Sequence, residues 1–276
     1  MKTQADKGAA FVALHARKGA FVIPNPWDVG SARLLEHLGF EALATTSAGF
    51  AFSRGRCDCQ MGRDATLEHA AAIAAATDLP VSADLENCFG DSPEVVAQTI
   101  RLAARAGLAG GSVEDSTGRT ESPQYELAHA ADRVRAAAEA AHALPFRFTL
   151  TARAENFLVG RPDLKDTIAR LQAYQQAGAD VLYAPGLATL DHIAAVVRAV
   201  DRPVNVLAAA QFSVAALAEI GVRRISVGGA LARAAYGAFL LAAREMKERG
   251  TFHFVEQSIN YREMTAIFAE MARVKS

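Results

Sequence analysis

Short stretches of this chain place acidic, basic and small residues close together. They are Trp27-Asp28, Ser47-Ala48-Gly49, Arg63-Asp64, Asp84-Leu-Glu86, Glu114-Asp115 and Arg153-Ala-Glu155. Asp84, Glu86 and Glu114 offer the oxygen donors that a hard divalent cation takes. Mg²⁺ uses few carboxylates and keeps several waters. Seven carboxylates at one rim (Asp28, Asp64, Asp84, Glu86, Glu114, Asp115, Glu155) repel one another unless positive charge stands among them. One or two arginines fall short of that, so Mg²⁺ is expected at Asp84, Glu86 and Glu114, with Mn²⁺ as the alternative. Asp28, Asp115 and Glu155 have a competing role as helix caps or partners of arginines. Arg153 is the expected anion clamp, because a guanidinium fork grips a carboxylate or phosphonate with two hydrogen bonds. Ser47-Ala48-Gly49 reads as a small-residue turn whose backbone N–H groups can hold a second anionic group. Asn205 is expected to join them in binding substrate.

These residues share a rim only if the elements beneath them form a barrel. Strand-like runs fall at 21–25, 42–46, 80–84, 110–114, 148–153, 181–184, 204–207 and 224–227. Amphipathic runs with apolar residues three and four apart lie between them, at 66–76, 93–106, 126–143, 164–177 and 190–200. Glycines stand where these helices hand over to strands. Strands separated by helices pair in parallel through right-handed crossovers. Eight such units in about 230 residues predict a single (β/α)8 TIM barrel, whose active site lies at the C-terminal ends of its strands. The first turn, Asn25-Pro-Trp-Asp-Val-Gly30, lacks a dinucleotide fingerprint, and no phosphate-binding loop is present. An extra helix is expected at 4–17 and another at 261–273. The barrel domain is assigned to 1–249 and a C-terminal helical extension to 250–276.

Several functions are excluded. All seven histidines fall in helical stretches or the C-terminal linker, none at a strand end, which argues against a His-ligated zinc site or a Ser–His–Asp triad. A net charge of −1 gives no field for nucleic acid. The longest apolar runs, about ten residues, are too short for a membrane span, and no secretory signal is read at the N-terminus. Cys57, Cys59 and Cys88 make no disulfide framework, so a cytoplasmic setting is expected. Cys88 reads as a packing residue rather than a nucleophile, and Cys57-Asp-Cys59 as an incomplete soft-metal set.

In order along the chain, these motifs resemble the isocitrate lyase/phosphoenolpyruvate mutase family. Asp84-Leu-Glu86-Asn-Cys-Phe-Gly90 looks like that family's Asp-x-Asp-x-Gly-Tyr-Gly metal segment, and Gly111-Ser-Val-Glu114-Asp115 and Thr151-Ala-Arg153 look like its motifs after the fourth and fifth strands. Trp27-Asp-Val-Gly-Ser31-Ala-Arg33 looks like its early Asp-x-x-Ser-Ala-Arg, and Asp64 sits where the family has an acidic residue near metal and substrate. The resemblance spans roughly residues 10–245. It implies that Mg²⁺ chelates a 2-oxo carboxylate while a metal-stabilised enolate forms. Arg153, Asp64 and Glu114 would act in catalysis, Ser47, Ala48 and Gly49 would hold the carboxylate, and dimers or tetramers would form. Two departures narrow the reading. Glu86 replaces an Asp, and the stretch Ser116–Tyr125 has no Cys, Lys or His where the carbon–carbon lyases carry a Cys-containing loop. The expected activity is therefore oxaloacetate-type decarboxylation or a related C–C cleavage. The alternatives are a phosphonate enzyme of the mutase or phosphonopyruvate hydrolase type, or a non-catalytic oxyacid-binding barrel.

Overall fold

The computed structural model describes residues 2–274. Eight strands form the centre: β1 (Phe21–Ile23), β2 (Leu43–Ala44), β3 (Val81–Ala83), β4 (Gly110–Glu114), β5 (Thr149–Arg153), β6 (Val181–Tyr183), β7 (Val204–Leu207) and β8 (Arg224–Ser226). All pairings are parallel, in the order β1-β8-β7-β6-β5-β4-β3-β2. Between the outer strands β1 and β2 the Ala44 N–H donates to Pro24 O at 3.1 Å, across the seam. The molecule is the expected (β/α)8 barrel, with strands one or two residues shorter than their sequence runs at several ends.

The helices are α1 (Gln4–Ala16), α2 (Val29–His37), α3 (Ser47–Ser53), α4 (Arg63–Ala76), α5 (Pro93–Arg105), α6 (Leu127–His142), α7 (Leu164–Gln176), α8 (Leu190–Ala199), α9 (Val214–Glu219), α10 (Ala230–Arg249) and α11 (Tyr261–Val274). Local chemistry sets many of their starts. Thr3 and Asp28 build capping boxes on α1 and α2, Ser92 caps α5 with Pro93 behind it, and Asp163 and Thr189 cap α7 and α8. The apolar faces of α4 to α8 pack on the outside of the strands in one continuous core. A smaller cluster of Phe11, Leu14, Phe21, Ile23, Ala42 and Ala109 forms where α1 plugs the N-terminal end of the barrel.

Strand register arranges the polar side chains. Glu114 pairs with Arg153, Arg153 with Tyr183, Tyr183 with Asn205 and Asn205 with Arg224. Glu114 ends its strand and Arg224 begins its own, so this polar rung descends from the C-terminal mouth to the barrel floor, as strand stagger requires. On β5, period-two alternation points Thr149, Thr151 and Arg153 to one side.

After α10 the chain turns at Gly250, which caps the helix at φ +65. Glu245 holds that turn, accepting from Thr251 Oγ1 and the His253 and Phe254 N–H groups. A short 3-10 helix (His253–Gln257) leads to α11, which packs against α2 of its own chain.

Candidate active site

Arg153 organises the mouth. Its Nη1 lies 2.9 Å from Asp84 Oδ1 and 3.2 Å from Glu114 Oε2, and its Nε lies 2.8 Å from Glu155 Oε1. Its guanidinium also lies 5.3 Å from the centre of the Tyr183 ring. Burial opposes the charged guanidinium, but the three carboxylates outweigh it and raise the Arg153 pKa well above its ordinary value. Burial likewise holds the Glu114 and Glu155 carboxyls above the usual carboxylate range, against the pull of Arg153. Tyr183 is pushed up to about 12, chiefly by burial.

The mouth cavity measures about 230 Å³ and is lined by Thr45, Thr46, Ser47, Ala48, Asp84, Arg153, Tyr183, Asn205 and Gly229, among others. Asp84 is held from two sides, since its Oδ2 accepts from the Ser47 N–H at 3.1 Å while its Oδ1 meets Arg153. Ser47-Ala48-Gly49 is the first turn of α3 rather than an open turn. Thr46 caps it, its Oγ1 accepting from the Gly49 N–H at 3.2 Å. Two of the N–H groups expected to hold an anion thus already serve Asp84 and Thr46, and the Ala48 N–H is left without an intrahelical partner by its place at the helix start.

Glu86 differs from its neighbours. It is buried, its backbone takes the left-handed φ of +51, and its Oε1 has no hydrogen-bond partner. Burial, then the charges of Asp84 and Asp58, push its carboxyl up to about 7. The β3–α5 loop that carries it is strained, with Cys88 and Phe89 also left-handed at φ +60 and +62. Cys88 occupies the position where the family motif has glycine. Contacts hold the loop in place. Thr99 Oγ1 donates to Cys88 O at 2.9 Å, and the buried Arg133 donates to the carbonyls of Asn87, Gly90 and Glu114 while lying 4.0 Å from the centre of the Tyr125 ring.

The sequence expectations divide accordingly. Asp84, Glu86, Glu114 and Arg153 meet at the mouth. Asp64 does not join them: it falls in the first turn of α4, its side chain is 92% exposed, and its ion pair is with Arg63. Asp58, in the loop between α3 and α4, lines the mouth instead. Asn205 lines the mouth with both ends of its amide already engaged, Nδ2 donating to Ser226 Oγ and Oδ1 accepting from Arg224 Nε. Asp28 caps α2. Asp115 is a buried hub that accepts from the Glu155 N–H, Gln124, Arg170 and Tyr174. Arginines therefore take up more of the acidic rim than charge counting suggested, Arg153 serving three carboxylates and Arg170 a fourth. Arg133 was missed because a helical arginine gives no sequence signal of pointing inward. Asp58 was missed as well, because it lies in an irregular loop where no periodic pattern says which side chains face the mouth. Cys88 is buried in the core with its thiol pushed up to about 12 by burial, which suits packing.

Residues 11–247 match the family described as phosphoenolpyruvate phosphomutase. The chain belongs to this phosphoenolpyruvate phosphomutase family. It is 32% identical to an uncharacterized protein of Mycobacterium tuberculosis over 93% of this chain and 95% of that one. It is 28% identical to an oxaloacetate decarboxylase of Pseudomonas savastanoi pv. phaseolicola, covering 88% of this chain and 86% of that one. Among solved structures it is similar to a candidate lyase/mutase of Burkholderia cenocepacia J2315, with a TM-score of 0.94, 60% identity and 96% of each chain covered. The family lies within the phosphoenolpyruvate mutase/isocitrate lyase superfamily of lyases and mutases, as the motifs implied.

Among the described residues, no three His, Cys, Asp or Glu side chains converge as a ready ligand set for an ion. A closed carboxylate cage is therefore absent at Asp84, Glu86 and Glu114. The donor set still fits a hydrated Mg²⁺, which needs only one or two carboxylates, and the buried Glu86 Oε1 has no hydrogen-bond partner.

Proposed function

We propose that this chain is a Mg²⁺-dependent lyase that breaks a C–C bond in a small 2-oxo or 2-hydroxy carboxylic acid, with oxaloacetate-type decarboxylation as its activity. The observation that carries this reading is the juxtaposition of Arg153, a guanidinium held rigid by three carboxylates, with the unpartnered Glu86 carboxylate beside Asp84. Asp84 and Glu86 would hold the ion, with Glu114 reaching it through water. When bound, the ion supplies Lewis-acid polarisation of the substrate's 2-oxo oxygen. Arg153 orients an anionic group of the substrate, its geometry fixed in advance by Glu155 and Glu114. The Ala48 N–H, at the start of α3, supplies a further donor. Burial raises the Glu114 and Glu155 carboxyls above the usual carboxylate range, against the pull of Arg153. Similarity to an oxaloacetate decarboxylase supports the choice of substrate class.

The reading includes a cytoplasmic enzyme, on three free cysteines, and a homo-oligomer, on the exposed Phe239, Leu240 and Leu241 of α10. Among the described residues no helix is long and apolar enough to cross a membrane.

The test is turnover of oxaloacetate with Mg²⁺, followed by EDTA, beside phosphonopyruvate followed by ³¹P NMR. Decarboxylation abolished by EDTA is expected. Turnover indifferent to EDTA removes the metal from the proposal, and phosphonopyruvate turnover without oxaloacetate turnover replaces it with a phosphonate enzyme. In calorimetry Asp84→Ala is expected to abolish Mg²⁺ binding, and unchanged affinity would count against Asp84 as a ligand.

A further inference from the structure

The barrel has a second cavity at the end opposite its mouth. The starts of β5, β6 and β7, the α6–β5 connection and α1 enclose about 480 Å³ there. That volume lies within the range of small-molecule sites, about 300–1,000 Å³. Much of the wall is apolar and includes Val12, Leu144, Phe146 and Phe148.

The polar groups around this cavity are unequally satisfied. Asp180 is committed, with Oδ2 accepting from the Leu150 N–H at 2.8 Å and Oδ1 lying 3.3 Å from His142 Nε2. Arg147 and Arg202 also line the cavity, and neither guanidinium has an ion pair or side-chain hydrogen bond among the described residues. Thr149 is 3% exposed, and its Oγ1 is buried with no partner. A buried hydroxyl without a partner is costly. Here it stands at the edge of a cavity whose two arginines also lack counter-ions.

The two cavities are separated. His15 of α1 donates from Nδ1 to Phe11 O at 2.7 Å, and its Nε2 faces Arg224 Nη1 at 3.4 Å. Arg224 lines the mouth cavity and His15 the opposite one, so this pair forms the partition between them.

We propose that the cavity at the N-terminal end of the barrel binds a small organic monocarboxylate, its anionic group on Arg147 and Arg202 and its apolar body against Phe146, Phe148 and Val12. Two guanidinium forks suit a carboxylate. The apolar wall distinguishes this ligand from a bare inorganic anion, which would leave that surface uncovered.

Hexanoate and inorganic phosphate serve as probes, each titrated by calorimetry into wild type, Arg147→Ala/Arg202→Ala, Thr149→Val and Arg153→Ala. Arg147 and Arg202 are exposed, so the double variant is expected to melt like wild type. Hexanoate is expected to bind wild type and Arg153→Ala alike. It should weaken by about 30-fold or more in the double variant and keep its affinity in Thr149→Val, whose hydroxyl is buried away from solvent. Affinity unchanged in the double variant overturns the proposal. So does affinity lost in Arg153→Ala, which would place hexanoate at the mouth. Phosphate binding without hexanoate binding, or neither, overturns it as well. None of these readings depends on turnover, so the proposed decarboxylase activity and this site can fail separately.

Discussion

At the scale of single residues, Arg153 and Glu86 have opposite relations to their surroundings, and each yields a prediction. Arg153 makes contacts through Nε and Nη1 to three carboxylates, a geometry that follows from its planar fork. Arg153→Lys keeps the charge but replaces the fork with a point donor. It is expected to lower kcat/KM for oxaloacetate by about 100-fold, or about 2.7 kcal/mol, in steady-state assays, and a loss under about 3-fold would deny the fork a role. Glu86 is instead raised from 4.5 to about 7 by burial and by Asp84 and Asp58. Between those values the unfolded carboxyl has ionised while the folded one keeps its proton. Stability of the metal-free protein therefore falls as pH rises through this window, and the cost is complete above about 7 and absent below 4.5. Glu86→Gln removes that ionisation. In EDTA it should match wild type near pH 5 and exceed it at pH 8, by at most on the order of 3 kcal/mol. Urea melts at the two pH values check this, and parallel pH profiles would show that Glu86 titrates normally. Mg²⁺ bound at the same carboxylate should recover the wild-type deficit, because ions bind the deprotonated form.

At the scale of elements, the mouth depends on how two short pieces of backbone are held. The first turn of α3 carries the Ser47 N–H to Asp84, and Gly49 lets it sit close. A Cβ at Gly49 would lie 2.6 Å from Thr46 Cγ2 and 2.8 Å from Trp27 Cβ. Gly49→Ala must shift α3, so it is expected to cost roughly 1–3 kcal/mol in stability and to raise KM, both measurable in one preparation. A variant with wild-type melting and KM would show that the turn accommodates the methyl. The second piece is the strained β3–α5 loop, pinned by Arg133 to three carbonyls. Arg133→Met fills much of the volume and donates nothing. It is expected to destabilise by about 2–4 kcal/mol and to weaken Mg²⁺ binding through loss of loop geometry, by calorimetry. Stability loss with intact Mg²⁺ affinity would limit Arg133 to packing. These elements also mark what the sequence could tell. Strand positions and most helix ends were legible because 3.6- and 2-residue periods and capping residues are local signals. Asp84, Glu86, Glu114 and Arg153 were legible because strand ends converge in a barrel. The commitment of Asn205 to Arg224, the exposure of Asp64 and the inward turn of Arg133 depend on helix phase and on strand stagger around the barrel. Those are set by contacts between residues tens of positions apart, which no local pattern encodes.

At the scale of the whole molecule, α10 and the segment after it leave large apolar side chains in solvent. The barrel's helices bury their apolar faces, yet α10 leaves Phe239, Leu240 and Leu241 at 65%, 50% and 68% exposure, and the following segment leaves Phe252 at 63% and Tyr261 at 83%. A monomer rarely exposes a contiguous apolar patch of this kind in water. In the proposed homo-oligomer, α10 and the segment after Gly250 are covered by another copy, while α11 stays against α2 of its own barrel. Light scattering at micromolar concentration should then give a mass at least twice the 29.2 kDa chain. Leu241→Glu places a charge in the middle of the patch and is expected to shift the mass to that of one chain without lowering the folded fraction, because the side chain touches solvent in the isolated chain. A chain ended at Arg249 separates the two contributions. If α10 carries the contact, it remains oligomeric; if the tail carries it, it becomes monomeric. A wild-type mass of 29.2 kDa across the concentration range would leave the apolar surface of α10 without this partner and refute the oligomer.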